Sequence, residues 1–113
     1  MRQIGILAAA GLIALDGMVD RLAEDHANAR ALAEGLARLP GIRIDLATVQ
    51  TNIVRCSVAR PGGVPELVAG CAARKVKIHE TGPDAIRCVT HKDVDADDVV
   101  RVIDAFREIT ARW

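Results

Sequence analysis

Few side chains in this sequence could do chemistry, and most of them stand in the wrong company. Ser57 has no histidine near it and no Gly-x-Ser-x-Gly frame around it, which excludes a nucleophile elbow. His79-Glu80 lacks the second histidine four residues on that a helical zinc-protease site needs. Cys56, Cys71 and Cys88 are odd in number and show no Cys-x-x-Cys spacing. That argues against a disulfide framework or a structural zinc, and for a reducing, cytoplasmic setting. Gly62-Gly63 follows Arg60-Pro61 and reads as turn chemistry, not as a phosphate cradle. His26 falls near the apolar stripe of a long helical segment, the setting of a partly buried structural histidine. What remains is arginine, notably Arg2 and Arg87. A guanidinium is permanently charged and forks onto carboxylate or phosphate oxygens through two parallel hydrogen bonds. The plainer role for a strand arginine is pairing with a surface acid.

Certain elements must position these groups. Ile4 to Leu15 reads as a helix that is apolar on nearly all sides, which normally means burial on most of its surface. A chain this small offers too little protein to cover it. A second helix runs from Met18 to Leu39, with Leu22, Ala29, Leu32, Ala33 and Leu36 among the residues of its stripe, and Pro40-Gly41 stops it. Strands are expected at Ile42–Ile44 and, with more β-branched residues, at Thr51–Val58. Pro65 suits the first turn of a helix reaching Lys75. A short strand Val76–His79, a turn Thr81–Asp84 and a strand Ile86–Thr90 follow. Asp95 and Asp98 have capping-box spacing ahead of a last helix carrying Val99, Val102, Ile103, Phe106 and Ile109 on one face. This order predicts an α+β fold: a small, mainly antiparallel sheet covered by helices on one face, with long N-terminal helices.

Composition narrows the function classes further. The chain has 113 residues, one domain's worth, and half of them are hydrophobic, so it folds and is not disordered. Phe106 and Trp113 are its only aromatics, and 15 basic residues balance 15 acidic ones. Such a chain offers nucleic acid neither a basic footprint nor a stacking platform. Arg2 followed by the apolar run and Ala8-Ala9-Ala10 has the outline of a short signal peptide, but an alanine-rich buried helix is the preferred reading. The run is too short to span a bilayer, so no membrane role is expected.

Four segments taken together carry a resemblance: Met1-Arg2-Gln3-Ile4-Gly5-Ile6-Leu7-Ala8-Ala9-Ala10-Gly11, then Arg21-Leu22-Ala23-Glu24-Asp25-His26-Ala27-Asn28-Ala29, then Thr51-Asn52-Ile53-Val54, then Ile86-Arg87-Cys88-Val89-Thr90-His91-Lys92-Asp93-Val94. In this order and spacing, over essentially the whole sequence, the chain resembles the C-terminal third of low-specificity threonine aldolases. The resemblance implies the small C-terminal domain of the aspartate aminotransferase-like fold, covering residues 1–113. It implies pyridoxal phosphate as cofactor and retro-aldol cleavage of β-hydroxy-α-amino acids to glycine and an aldehyde. In the family, the arginine at the position of Arg2 lies close to the cofactor phosphate. The arginine at the position of Arg87 binds the substrate carboxylate. His91 would stand near that site as a supporting residue.

The departures from the family matter as much. The family's Schiff-base lysine lies in a Ser-x-Ser-Lys-Gly stretch upstream of the Met-Arg-Gln motif, and none occurs here; Lys75, Lys77 and Lys92 stand in other contexts. The ring-stacking histidine and the aspartate on the pyridine nitrogen belong to the family's large domain. The expectation is therefore a truncated or split lyase, inactive alone, with no catalytic residue of its own and no covalent hold on the cofactor. Helix 4–15 would pack on a missing large domain or second polypeptide, and a homo-oligomer is expected. Where the family usually has a more apolar run, often with asparagine near the position of His79, this chain has Lys77-Ile78-His79-Glu80. The alternative is a non-catalytic α+β interaction module that associates through its apolar N-terminal helix.

Overall fold

The strands alternate, and the alternation decides the layering. In the computed structural model, which describes residues 1–113, strands β2 (Ile53–Val58) and β4 (Ala85–Val89) bury Val54, Cys56, Val58, Ile86 and Cys88 and turn Ile53, Arg55, Ser57, Arg87 and Val89 the other way. A strand repeats every two residues, so each apolar-polar alternation commits one whole face to the core. Strands β1 (Ile42–Arg43) and β3 (His79–Gly82) complete an antiparallel sheet of order β1-β2-β4-β3.

Three helices cover the buried face. From α2 (Leu22–Leu36) come Ala29, Leu32, Ala33 and Leu36; α3 (Gly63–Ala73) adds Val64, Leu67 and Cys71; α4 (Ala96–Thr110) adds Val99, Phe106 and Ile109. Phe106, fully buried, is the largest side chain in this otherwise aliphatic core. Helix α4 begins where the sequence predicts: the Asp95 carboxylate accepts from Asp98 N at 2.9 Å, and the Asp98 side chain accepts from Asp95 N. Glycines let α4 lie close to both neighbours. A Cβ on Gly35 of α2 would overlap Ile103, and one on Gly70 of α3 would sit 2.7 Å from Ile109 Cδ1.

Helix α1 (Ile4–Gly17) differs from the others in that it buries no residue. Ile6, Leu7, Ile13 and Leu15 all lie more than 60 % exposed, and the molecule is drawn out to 50 × 28 × 24 Å. An apolar surface of this extent is unusual on a soluble chain.

Several boundaries fall elsewhere than expected. Val19–Arg21 form turns instead of helix, because Leu22, Ala23 and Glu24 donate to carbonyls three residues back. Lys75 adopts φ 61° and ends α3; Val76 N then returns to Cys71 O at 2.9 Å. Val76 and Ile78 are half-buried against the core without joining the sheet, so pairing begins only at His79. Thr81 lies in β3, and the turn tightens to Pro83-Asp84 between Gly82 and Ala85. A 3-10 turn at Leu46–Thr48, capped by Asp45, has no counterpart in the expected order. His26 is exposed, not partly buried as expected; Asp25 and Asn28 take the buried positions on that helix.

Those two residues belong to a polar clamp. The Thr90 hydroxyl, 1 % exposed, donates to the Asp25 carbonyl at 2.7 Å. Asn28 Nδ2 donates to Val94 O at 3.0 Å, and Asn52 Nδ2 donates to Thr90 O at 2.7 Å. The Asp25 carboxylate takes Arg21 in a two-pronged pair at 2.6 and 3.0 Å. Thr90→Val keeps the shape and removes the donor, so it should cost about 1–3 kcal/mol in urea unfolding. No loss would mean that the clamp contributes nothing. Arg21 holds the Asp25 carboxyl below its ordinary pKa, chiefly through the side-chain hydrogen bonds. A depressed carboxyl pKa stabilises the fold above the unfolded-state value and loses that effect as pH falls through the folded value. The unfolding midpoints of wild type and Asp25→Asn should therefore differ at pH 7 and converge below about pH 4.

Candidate functional site: the open face of the sheet

The face of the sheet turned away from the helices carries a row of arginines without acid partners. Antiparallel register places Arg43 opposite Ser57, Arg55 opposite Arg87, and Arg87 opposite His79 on its other side. Arg55 and His79 are exposed, and Arg87 is half-buried. Many acids elsewhere are paired. Glu24 and Asp25 face Arg21, Glu34 faces Arg30, Glu66 faces Arg60, Asp98 faces Arg101, Asp104 faces Arg107, and Glu108 faces Arg74. None pairs with Arg43, Arg55 or Arg87 within 4.0 Å. Asp84 makes no ion pair with Arg87 either. The Arg87 Nε is shielded from solvent and has no hydrogen-bond partner. Buried polar atoms normally find partners. Such an unpartnered donor, on a side chain carried by the outward face of β4, is the group in the sheet that an anion could satisfy.

The other sequence-level candidates lie apart from this face or are chemically quiet. Arg2 precedes α1 in a fully exposed segment, with Gln3 at φ 58°, and nothing packs it against the sheet. His91 is exposed in the loop after β4, where its Nδ1 accepts from Asp93 N at 3.3 Å and lies 3.8 Å from the Asp93 carboxylate. All three cysteines are free and buried. Burial pushes the Cys71 thiol up to about 11 and the Cys56 thiol up to about 12, and pushes Cys88 higher still. None of them is a thiolate nucleophile at neutral pH. No group of His, Cys, Asp and Glu is arranged to hold a metal ion. A cleft of about 270 Å³ opens between Lys75–Ile78, the end of β4 and the start of α4, and Arg87 lies outside it.

A pyridoxal-phosphate site also needs an amine that can lose its proton and condense with the aldehyde, which calls for desolvation or a neighbouring cation. Lys75, Lys77 and Lys92 are all exposed, and Lys92 is held by Asp93 at 2.6 Å. The residues present do not make a covalent cofactor site.

Known proteins place the geometry in a family. The family model for beta-eliminating lyases, a pyridoxal-phosphate-dependent group, matches residues 1–59. The chain belongs to this family. Curated relatives extend the match through Arg87. The probable low-specificity L-threonine aldolase 2 of Arabidopsis thaliana is 37 % identical over 111 residues, covering 96 % of this chain and 31 % of its own length. The low specificity L-threonine aldolase of Escherichia coli (strain K12) is 38 % identical over 112 residues, covering 99 % of this chain and 32 % of its own. The chain therefore spans about a third of the length of the curated relatives it matches. Among solved structures, a complex of the cystine C-S lyase C-DES with its product cysteine persulfide superposes with a TM-score of 0.73 at 21 % identity, covering 92 % of this chain and 28 % of that one. A mutant of C-DES with glycine covalently linked to its pyridoxal-phosphate cofactor gives 0.72. These two likenesses establish the shared α+β fold. No helix of the chain is long and apolar enough to cross a membrane.

Sequence reading missed Arg55 and the position of His79 beside Arg87. The alternation Ile53-Val54-Arg55-Cys56-Ser57 does turn Arg55 outward. Only the register reveals that it faces Arg87. Because Arg87 makes no ion pair, Arg87→Ala should shift unfolding stability by less than about 1 kcal/mol, measured in urea. A loss of several kcal/mol would assign it to the fold instead of to a ligand.

Proposed function

We propose that this chain forms the C-terminal small-domain part of a threonine aldolase-type lyase, which cleaves β-hydroxy-α-amino acids to glycine and an aldehyde. The observation that carries the reading is Arg87, a sheet-mounted guanidinium without an acid partner, within a sequence matched almost end to end by threonine aldolases. In this reading Arg87 forks onto the substrate α-carboxylate and fixes which bond at Cα is aligned for cleavage. Arg2 contributes charge to the cofactor phosphate. His91 supports the loop that follows β4. Pyridoxal phosphate, when bound, supplies the electron sink for the carbanion left at Cα. The covalent hold on it comes from a lysine outside these residues.

The exposed apolar helix α1 fits a docking role against the rest of such a lyase, in the same chain or in a separate polypeptide. Buried, free thiols suit a cytoplasmic enzyme, and a homo-oligomer accords with an apolar surface this size.

The 113-residue chain alone should release no aldehyde from threonine with excess cofactor, and borohydride should trap no reduced cofactor on it. Adding a polypeptide that matches the first two thirds of a threonine aldolase should restore cleavage, and Arg87→Ala should remove at least about 100-fold of the restored kcat/KM. Turnover by the chain alone, or restored turnover indifferent to Arg87, would overturn the proposal.

A further inference from the structure

The row across the open sheet face holds more cation than one carboxylate can use. Arg55 and Arg87 are direct cross-strand partners, and His79 flanks Arg87 from the edge strand. Directly opposed residues stand with Cβ atoms roughly 4.5–5.5 Å apart, and like charges so placed oppose pairing of the strands. Sheets ordinarily relieve such a pair with an acid on a neighbouring strand. Here no acid pairs with either guanidinium, and the outward positions of β2 beside Arg55 are Ile53 and Ser57. Arg55 is exposed and enters no hydrogen bond, so all its donors are available.

We infer that the Arg55–Arg87–His79 row selects ligands with two carboxylates: an amino acid whose side chain ends in a second carboxylate, or the oxo-acid derived from it. The inference rests on the carboxylate role proposed for Arg87. One carboxylate occupies the fork of Arg87 and leaves the guanidinium of Arg55, on the adjacent strand of the same row, unneutralised. A second carboxylate, a few bonds further along the ligand, meets Arg55 and removes the repulsion that the empty row carries. His79 lies on the far side of Arg87 from Arg55, so it borders the first carboxylate and not the second. Arg55 is thus a specificity-determining residue, and an uncharged side chain at its position would favour substrates such as threonine.

The test is a titration of the 113-residue chain with butyrate and with succinate at low ionic strength, followed through the arginine Nε–H signals by NMR. The two probes share a four-carbon length and differ in the second carboxylate. Succinate should bind about tenfold more tightly than butyrate, as a second charge-assisted, two-pronged contact warrants. Arg55→Gln should lower succinate to the butyrate level and leave butyrate unchanged, Arg55→Lys should restore part of the difference, and Arg87→Gln should weaken both. Unfolding midpoints of the Arg55 variants, unchanged or raised, show that the sheet is intact. If the succinate preference survives Arg55→Gln while butyrate binding still needs Arg87, the dicarboxylate inference fails and the Arg87 role stands. If neither probe responds to Arg87→Gln, both fail. Inorganic phosphate binding more tightly than succinate would make this a single-centre dianion site and overturn the dicarboxylate class.

Discussion

The hydroxyl of Thr90, donating to the carbonyl of Asp25, is the contact on which the placement of the open face depends. It joins the end of β4 to the first turns of α2, residues 65 positions apart in the chain. The same threonine's backbone is held by β2, through Thr90 N to Asn52 O and Asn52 Nδ2 to Thr90 O. Three elements therefore meet at one buried residue. Buried hydrogen bonds are costly to leave unmade, so this arrangement resists slippage of β4 along β2. A slip of one residue would exchange the faces of the strand, sending Arg87 into the core and Cys88 to solvent. The clamp keeps the register, and the register keeps the guanidinium outside.

That dependence gives a physical reason for the pairing of two sequence segments. The stretch around Glu24–Asn28 and the stretch Val89–Val94 are distant in sequence, yet Asp25 and Asn28 from the first receive and supply the hydrogen bonds that fix Thr90 and Val94 of the second. Neither segment does chemistry itself. Together they set the pitch of the strand that carries Arg87. His26 and His91 each follow a buried residue of this junction, Asp25 and Thr90, and are themselves exposed.

Much of this was legible in the sequence. Apolar runs, periodicity and Pro65 located the four α-helices and three of the strands, and the Asp95–Asp98 spacing located the start of α4, while the turn at Leu46–Thr48 had no signal. Alternation alone assigned Ile86 and Cys88 to the core and Arg87 to the other face. What could not be read was set by contacts between distant residues. The strand at Val76–His79 was misplaced because apolar residues entering the core need not pair, and Val76 and Ile78 enter it from a connection that returns to Cys71. Register between β2 and β4 depends on the Thr90–Asn52 contacts, so the juxtaposition of Arg55 and Arg87 has no local signature. His26 looked partly buried because its stripe position is adjacent to Asp25, and a one-residue rotation on a helix is finer than the periodicity of short apolar side chains resolves.

The two surfaces left unsatisfied are different in kind, and their difference ties the structure to its function. Helix α1 exposes apolar area, which water disfavours without regard to what covers it. The open sheet face exposes charge, which water tolerates well, and its unsatisfied feature is the sheltered Nε of Arg87. Apolar area is covered by protein, while an oriented donor is satisfied by an anion of matching geometry. The two surfaces therefore call for different occupants, a protein surface for α1 and a small anion for the basic row.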